Sequence, residues 1–191
     1  MKSDVIAVSS REDQIDLVLE QAEQVAAYQK LSARGALHLR LLSEEVMSMM
    51  RAIAGDVRGE YWIENKGERY ELHLKVRTNV DPRMREQLLG ASKSGKNEAS
   101  RGFMGKIRAF FEPVEGMPLL LDPNPDGMYS DMAWTMSAYQ QQIRRNVEQE
   151  REGAAEAWDE LEKSLVAHLA DDVKGSIRGR DVEMTVYKKL I

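Results

Sequence analysis

The sequence predicts an α+β fold, a two-layer sandwich with a mostly antiparallel sheet and helices packed on one face. Three observations predict it. Runs that alternate polar and apolar residues come in pairs joined by short turns, and apolar residues at helical spacing come in blocks between them. The chain has 191 residues, 42% of them hydrophobic, which suits one domain with a sizeable core.

Asp4-Val5-Ile6-Ala7-Val8 is a short β-branched run that reads as an edge strand. Ser9 or Ser10 then offers an N-cap, with Glu12 and Asp13 in the first turn where they suit the helix dipole. Ile15, Leu17, Val18, Leu19, Ala22, Val25 and Ala26 recur at helical spacing, which predicts an amphipathic helix over about 10–30. Ser32 is a second N-cap, and Leu37, Leu41, Val46, Met49, Met50 and Ile53 carry a second helix to a stop at Gly55. The period then changes to two. Residues 60–65 and 70–76 alternate around the turn signal Asn65-Lys66-Gly67-Glu68, an antiparallel hairpin with one buried face.

Asp81-Pro82 starts another helix, 91–97 is a polar loop, and 103–111 resumes helical spacing. Four of the five prolines (Pro113, Pro118, Pro123 and Pro125) fall within 112–127, which reads as a surface loop or lid. A long helical region follows from Asp131, is interrupted near Gly153 and ends around Asp171-Asp172. Two strands, at 173–177 and 182–187, close the chain around Gly179-Arg180-Asp181. The expectation is a single domain over 1–191, with 80–155 as a helical insert.

Composition narrows the function. There are 27 Lys+Arg against 32 Asp+Glu, a net charge of −5, so the basic stripe of a nucleic-acid binder is not expected. Cysteine is absent, which excludes disulfides, thiolate chemistry and cysteine-bearing zinc sites. None of His38, His73 and His168 lies in an HExxH pattern, so no metal ligands are singled out and a metal centre would be mainly carboxylate. No signal peptide is evident, and no stretch approaches the ~20 apolar residues of a membrane span, so a soluble, cytoplasmic protein is expected.

Gly90-Ala91-Ser92-Lys93-Ser94-Gly95-Lys96-Asn97 matches the phosphate-binding loop GxxxxGK[ST] except at its last position. Asn97 lacks the hydroxyl that would hold magnesium, and Gly90 follows a helical run rather than a strand. A helix–helix connection explains the same residues, although amides at a helix start still suit an anion. On the second helix, Glu44 and Glu45 point about 100° apart, so at most one faces inward, where a carboxylate can act as a general base. A solvated helix face is the plainer reading. The methionines at 47, 49, 50, 104, 117, 128, 132 and 136 read as core filling, with an adaptable interface as the alternative. Arg77-Thr78-Asn79 ends the second hairpin strand, where polar groups would stand at the mouth of a cleft or simply end the strand. His73 alternates with apolar neighbours and reads as structural.

Two segments carry a family resemblance. Leu39-Arg40-Leu41-Leu42-Ser43-Glu44-Glu45-Val46-Met47-Ser48-Met49 is similar to the Asn-box helix of the Bergerat-type ATPases shared by gyrase, sensor histidine kinases and anti-sigma-factor serine kinases. Residues 164–173 with Val182-Glu183-Met184-Thr185-Val186-Tyr187-Lys188-Lys189-Leu190 resemble the last helix and closing strands, most closely of the small anti-sigma kinases. The resemblance covers about two thirds of the chain and implies a histidine kinase-like ATPase fold with 80–155 as an enlarged ATP lid.

It also implies ATP or ADP as the ligand, with Glu45 at the catalytic position and Arg77, Thr78 and Asn79 at the cleft mouth. Ser94, Gly95, Lys96 and Asn97 would then approach the phosphates from the lid. The family's magnesium-holding Asn corresponds to Met49, a poor ligand for a hard cation, and no Asp-x-Gly-x-Gly box follows the second hairpin strand. The expectation is therefore a degenerate ATP site in a regulatory protein that works by binding a nucleotide or a protein partner, a second copy of the chain included. The alternatives are an active ATP-dependent serine kinase or ATPase and a pure protein-interaction module.

Overall fold

A computed structural model describes residues 1–9, 14–54, 58–77, 120–121, 132–150, 154–162, 164–178 and 181–191. They form an α+β structure in the order β1 (Ile6–Ser9), α1 (Ile15–Tyr28), α2 (Ala33–Ala54), β2 (Arg58–Lys66), β3 (Arg69–Arg77), β4 (Leu120–Leu121), β5 (Met132–Thr135), α3 (Met136–Glu148), α4 (Ala154–Glu162), α5 (Leu165–Leu169), β6 (Asp172–Arg178) and β7 (Asp181–Lys189). Every strand pairing is antiparallel, and the order across the sheet is β1-β2-β3-β7-β6-β5-β4. The first five strands of that order make the body of the sheet, with β5 and the two-residue β4 added at one side.

The hairpin is where local sequence and register meet. Lys66 pairs with Arg69, leaving Gly67 and Glu68 as a two-residue loop. Gly67 has φ 76°, a conformation that a type II′ hairpin turn demands at its first central residue and that glycine adopts without steric cost. From there the pairing runs in step to Arg58 opposite Arg77. Gly59 is required for a different reason: a Cβ there would lie 2.6 Å from the Lys75 carbonyl oxygen of the facing strand.

Alternation along these strands makes one face apolar. Tyr61 and Ile63 of β2, Leu72, Leu74 and Val76 of β3, Met184 and Val186 of β7 and Val173 of β6 are all buried. They share one core with Val18, Ala22 and Val25 of α1, Leu39, Leu42, Val46 and Met50 of α2, Met136 and Ile143 of α3, Leu161 of α4 and Val166 of α5. The helices thus lie on one face of the sheet. Among the described residues no helix is long and apolar enough to cross a membrane.

The helix ends are set by specific groups. Ser32 caps α2, its Oγ accepting the Gly35 amide at 3.2 Å. Thr135 caps α3 by accepting from Ala138, and the Asp172 carboxylate accepts the Ser137 amide, tying that helix to β6. Helix α1 ends in a Schellman motif, with Lys30 N–H bonded to the Ala27 carbonyl, Leu31 N–H to that of Ala26, and Lys30 at φ 53°.

Several expectations need correction. Helix α1 starts after an N-cap at Gln14 with no side-chain cap, because Ser9 is engaged in the strand, paired with Arg58. Residues 10–13 are outside the described residues. Met132–Thr135, expected to be helical, is β5, held as a strand by β6, and Leu120–Leu121 of the expected loop pairs with β5. The helices expected near 82 and 103–111 lie outside the described residues.

Replacing Gly67 by alanine places a Cβ at positive φ in otherwise open space, so only the backbone penalty is felt. Gly67→Ala is expected to lower stability by about 1–2 kcal/mol in denaturant unfolding with an unchanged m-value.

Candidate functional site

Two clusters on opposite faces of the sheet merit description. The first lies on α2. Its buried side carries Leu39, Leu42, Ser43, Val46, Met47, Met49 and Met50, each fully shielded from solvent. Ser43 Oγ donates to the Leu39 carbonyl at 2.7 Å, so the Tyr61 hydroxyl, 2.8 Å away, donates to Ser43. Burial pushes the Tyr61 phenol far above its ordinary pKa, and the Ser43 bond opposes that shift only in part.

Glu45 follows at the margin of this apolar surface. It is partly buried while Glu44 is exposed, the division that the 100° step between neighbouring helix positions requires. Loss of water contact, with a smaller contribution from the Glu44 charge, raises the Glu45 carboxyl above the ordinary glutamate value. One turn later, Met49 is wholly inside the core.

The other expected site residues are distributed as follows. Arg77 ends β3, exposed and paired across the ladder with Arg58 and Asp181. Strand alternation puts it on the face away from the helices, because Val76 beside it is in the core. The structure therefore does not set Arg77 against Glu45. Thr78, Asn79, Ser94, Gly95, Lys96 and Asn97 lie outside the described residues.

The second cluster occupies the face of the sheet opposite the helices and was not anticipated. Register places Trp62 opposite His73 and Glu64 opposite Glu71, with Thr185 and Tyr187 of β7 beyond them. The Trp62 and His73 rings stack at 4.7 Å with 4° between planes, and Lys2 Nζ lies 4.8 Å over the indole. Glu71 is only 3% exposed, yet its carboxylate receives Lys66 Nζ at 2.7 Å and the Arg69 guanidinium. Burial pushes its pKa up, but the hydrogen bonds and charges of Lys66 and Arg69 prevail and hold it below the ordinary range. Glu64 is also lowered, chiefly by the Trp62 indole N–H donated to Oε1 at 3.0 Å.

His73 is 9% exposed, and burial lowers its pKa despite the opposing charges of Glu64, Glu71 and Glu183. Its Nδ1 lies 3.2 Å from the Thr185 hydroxyl, while Nε2 has no hydrogen-bond partner. One signal in the sequence does point here. A two-residue loop at 67–68 makes facing residues sum to a constant, which pairs Glu64 with Glu71 and Trp62 with His73.

Neither models of known protein families nor curated proteins give a match to this chain.

Two outcomes test the α2 cluster. Tyr61→Phe leaves Ser43 bonded to Leu39, whereas Ser43→Ala strands the buried Tyr61 hydroxyl. Ser43→Ala should therefore cost about 1–3 kcal/mol and Tyr61→Phe about 1 kcal/mol in chemical denaturation. For Glu45, the folded state holds the proton more tightly than the unfolded chain does. Stability is then lost as pH rises from the ordinary value near 4.5 through the raised one. Glu45→Gln should be at least as stable as the native chain at neutral pH, with its advantage shrinking as pH falls through the raised Glu45 value towards 4.5 when melting is followed across pH.

Proposed function

We propose that this chain is a regulatory binding protein on the histidine kinase-like ATPase scaffold, one that binds ATP or ADP without magnesium-dependent turnover. The observation that carries the reading is the pairing of a partly buried, water-poor Glu45 with Met49 one turn on and wholly inside the core. A carboxylate in that setting keeps the character of a general base, but a thioether enclosed by apolar side chains is no ligand for a hard, oxygen-seeking cation. The order of a strand, two helices and a hairpin, with a short helix and a closing hairpin at the end, supports the scaffold. A scaffold of this kind can outlive its chemistry.

In this reading Glu45 stands beside the ligand, while Lys96 and its neighbours reach it from the insert over 80–155. Arg77 carries none of the weight, since its side of the sheet is the wrong one. The regulatory output is a change in how the chain holds a protein partner.

Thermal unfolding with ATP and with ADP, each with magnesium and with chelator, tests the reading. Ligand at about 100 times its dissociation constant stabilises by ~2.7 kcal/mol, a rise of roughly 5–10 °C for a domain of this size. The expected result is that rise with either nucleotide, the same with chelator, and no release of phosphate. A rise that needs magnesium, with turnover lost in Glu45→Gln, would overturn it in favour of an active kinase or ATPase. No rise with any nucleotide would leave a protein-interaction module.

A further inference from the structure

The cluster on the opposite face of the sheet plays no part in that reading and has a chemistry of its own. We propose that Glu64, Glu71 and His73 form a site for a divalent metal ion of the zinc class. One donor atom from each residue lies within 4.8 Å of the other two. Inside that group, His73 Nε2 is shielded from solvent, lacks any hydrogen-bond partner and sits 3.4 Å from Glu71 Oε2. A tetrahedral ion with bonds of about 2.0–2.1 Å separates its ligand atoms by roughly 3.3 Å, so this edge already has the required length.

The rest of the imidazole is held as a ligating histidine is held. The Thr185 hydroxyl lies 3.2 Å from Nδ1, and with the ring proton on Nδ1 donated to that hydroxyl the Nε2 lone pair is available to an ion between the carboxylates. A hydrogen bond from the distal ring nitrogen together with stacking on Trp62 fixes both tautomer and ring plane. Glu64 Oε1 is engaged by the Trp62 indole, which leaves Oε2 for the ion. Three protein donors from two paired strands leave a fourth position for water.

Lys66 bears directly on the proposal. Its ammonium lies 2.7 Å from Glu71 Oε2 and 3.6 Å from Glu64 Oε2, at the mouth of the same site, on a side chain that is 54% exposed. It is the cation that a metal ion would displace, whereas Arg69 would keep its hold on Glu71 Oε1.

The test titrates the tag-free full chain with Zn²⁺ by calorimetry and with Co²⁺ by visible absorption. The native chain is expected to bind one ion with the intense bands of tetrahedral Co²⁺. His73→Gln and Glu64→Gln should each weaken binding by at least about tenfold. Glu64 lies at the rim, so its variant serves where His73→Gln fails to fold. Lys66→Gln should tighten binding, because the competing ammonium is gone, and His168→Gln should leave it unchanged. Absence of saturable one-to-one binding would overturn the proposal, as would native affinity in Glu64→Gln or a Lys66→Gln variant that binds no more tightly than the native chain.

Discussion

The register of the β2–β3 hairpin is the constraint on which the rest of the structure depends. The Gly67-Glu68 loop starts the ladder at Lys66 opposite Arg69, and every later pairing follows from it. Alternate residues then sort to two faces, Tyr61, Ile63, Leu72 and Leu74 to the core and Trp62, Glu64, Glu71 and His73 away from it. A slip by one residue would drive an indole, an imidazole and two carboxylates under the helices and turn a tyrosine and several aliphatic residues out to solvent. Strand β7 extends the same division, pairing Val186 with Leu72 in the core and Thr185 with His73 outside it.

Much of this was legible in the sequence, wherever a period was sustained over many residues. The hairpin, the closing strands and α2 with its Ser32 cap were expected, because a run of five or more residues in step outvotes local accidents. Edge strand β1 was also expected from its β-branched run, but other short elements escaped. Met132–Thr135 offers four residues with no clear period and becomes a strand only because β6 lies beside it. The end of α1 falls close to where it was expected, but the form of its cap was not legible, since a left-handed cap is expected of glycine and Lys30 occupies it. As for the sites, Glu45 could be singled out by its resemblance to a known helix. The carboxylate and histidine cluster was legible only as far as the hairpin register pairs its members, since Thr185, beside His73, joins it from the far end of the chain.

The two faces solve the problem of burying polar groups in different ways. On the helical side almost everything is apolar, and methionines at 47, 49 and 50 fill the space with side chains that tolerate irregular shapes. A carboxylate at the edge of such a surface, as at Glu45, meets little that favours its charge. On the opposite side, Glu71 is shielded beside His73, and its charge is met by Lys66 and Arg69. The same residue type is thus pushed towards its neutral form on one face and held ionised on the other.

The bond between Ser43 and Tyr61 joins these two environments mechanically. It is a dowel through the dry interior, fixing the rotation of α2 about its own axis, because turning the helix by one position would leave the tyrosine hydroxyl stranded in apolar surroundings. Ser43 stands two residues before Glu45, and Tyr61 stands next to Trp62 on the strand. Glu45 on the helix and Trp62 on the far face of β2 therefore each lie within two residues of an end of the same buried hydrogen bond.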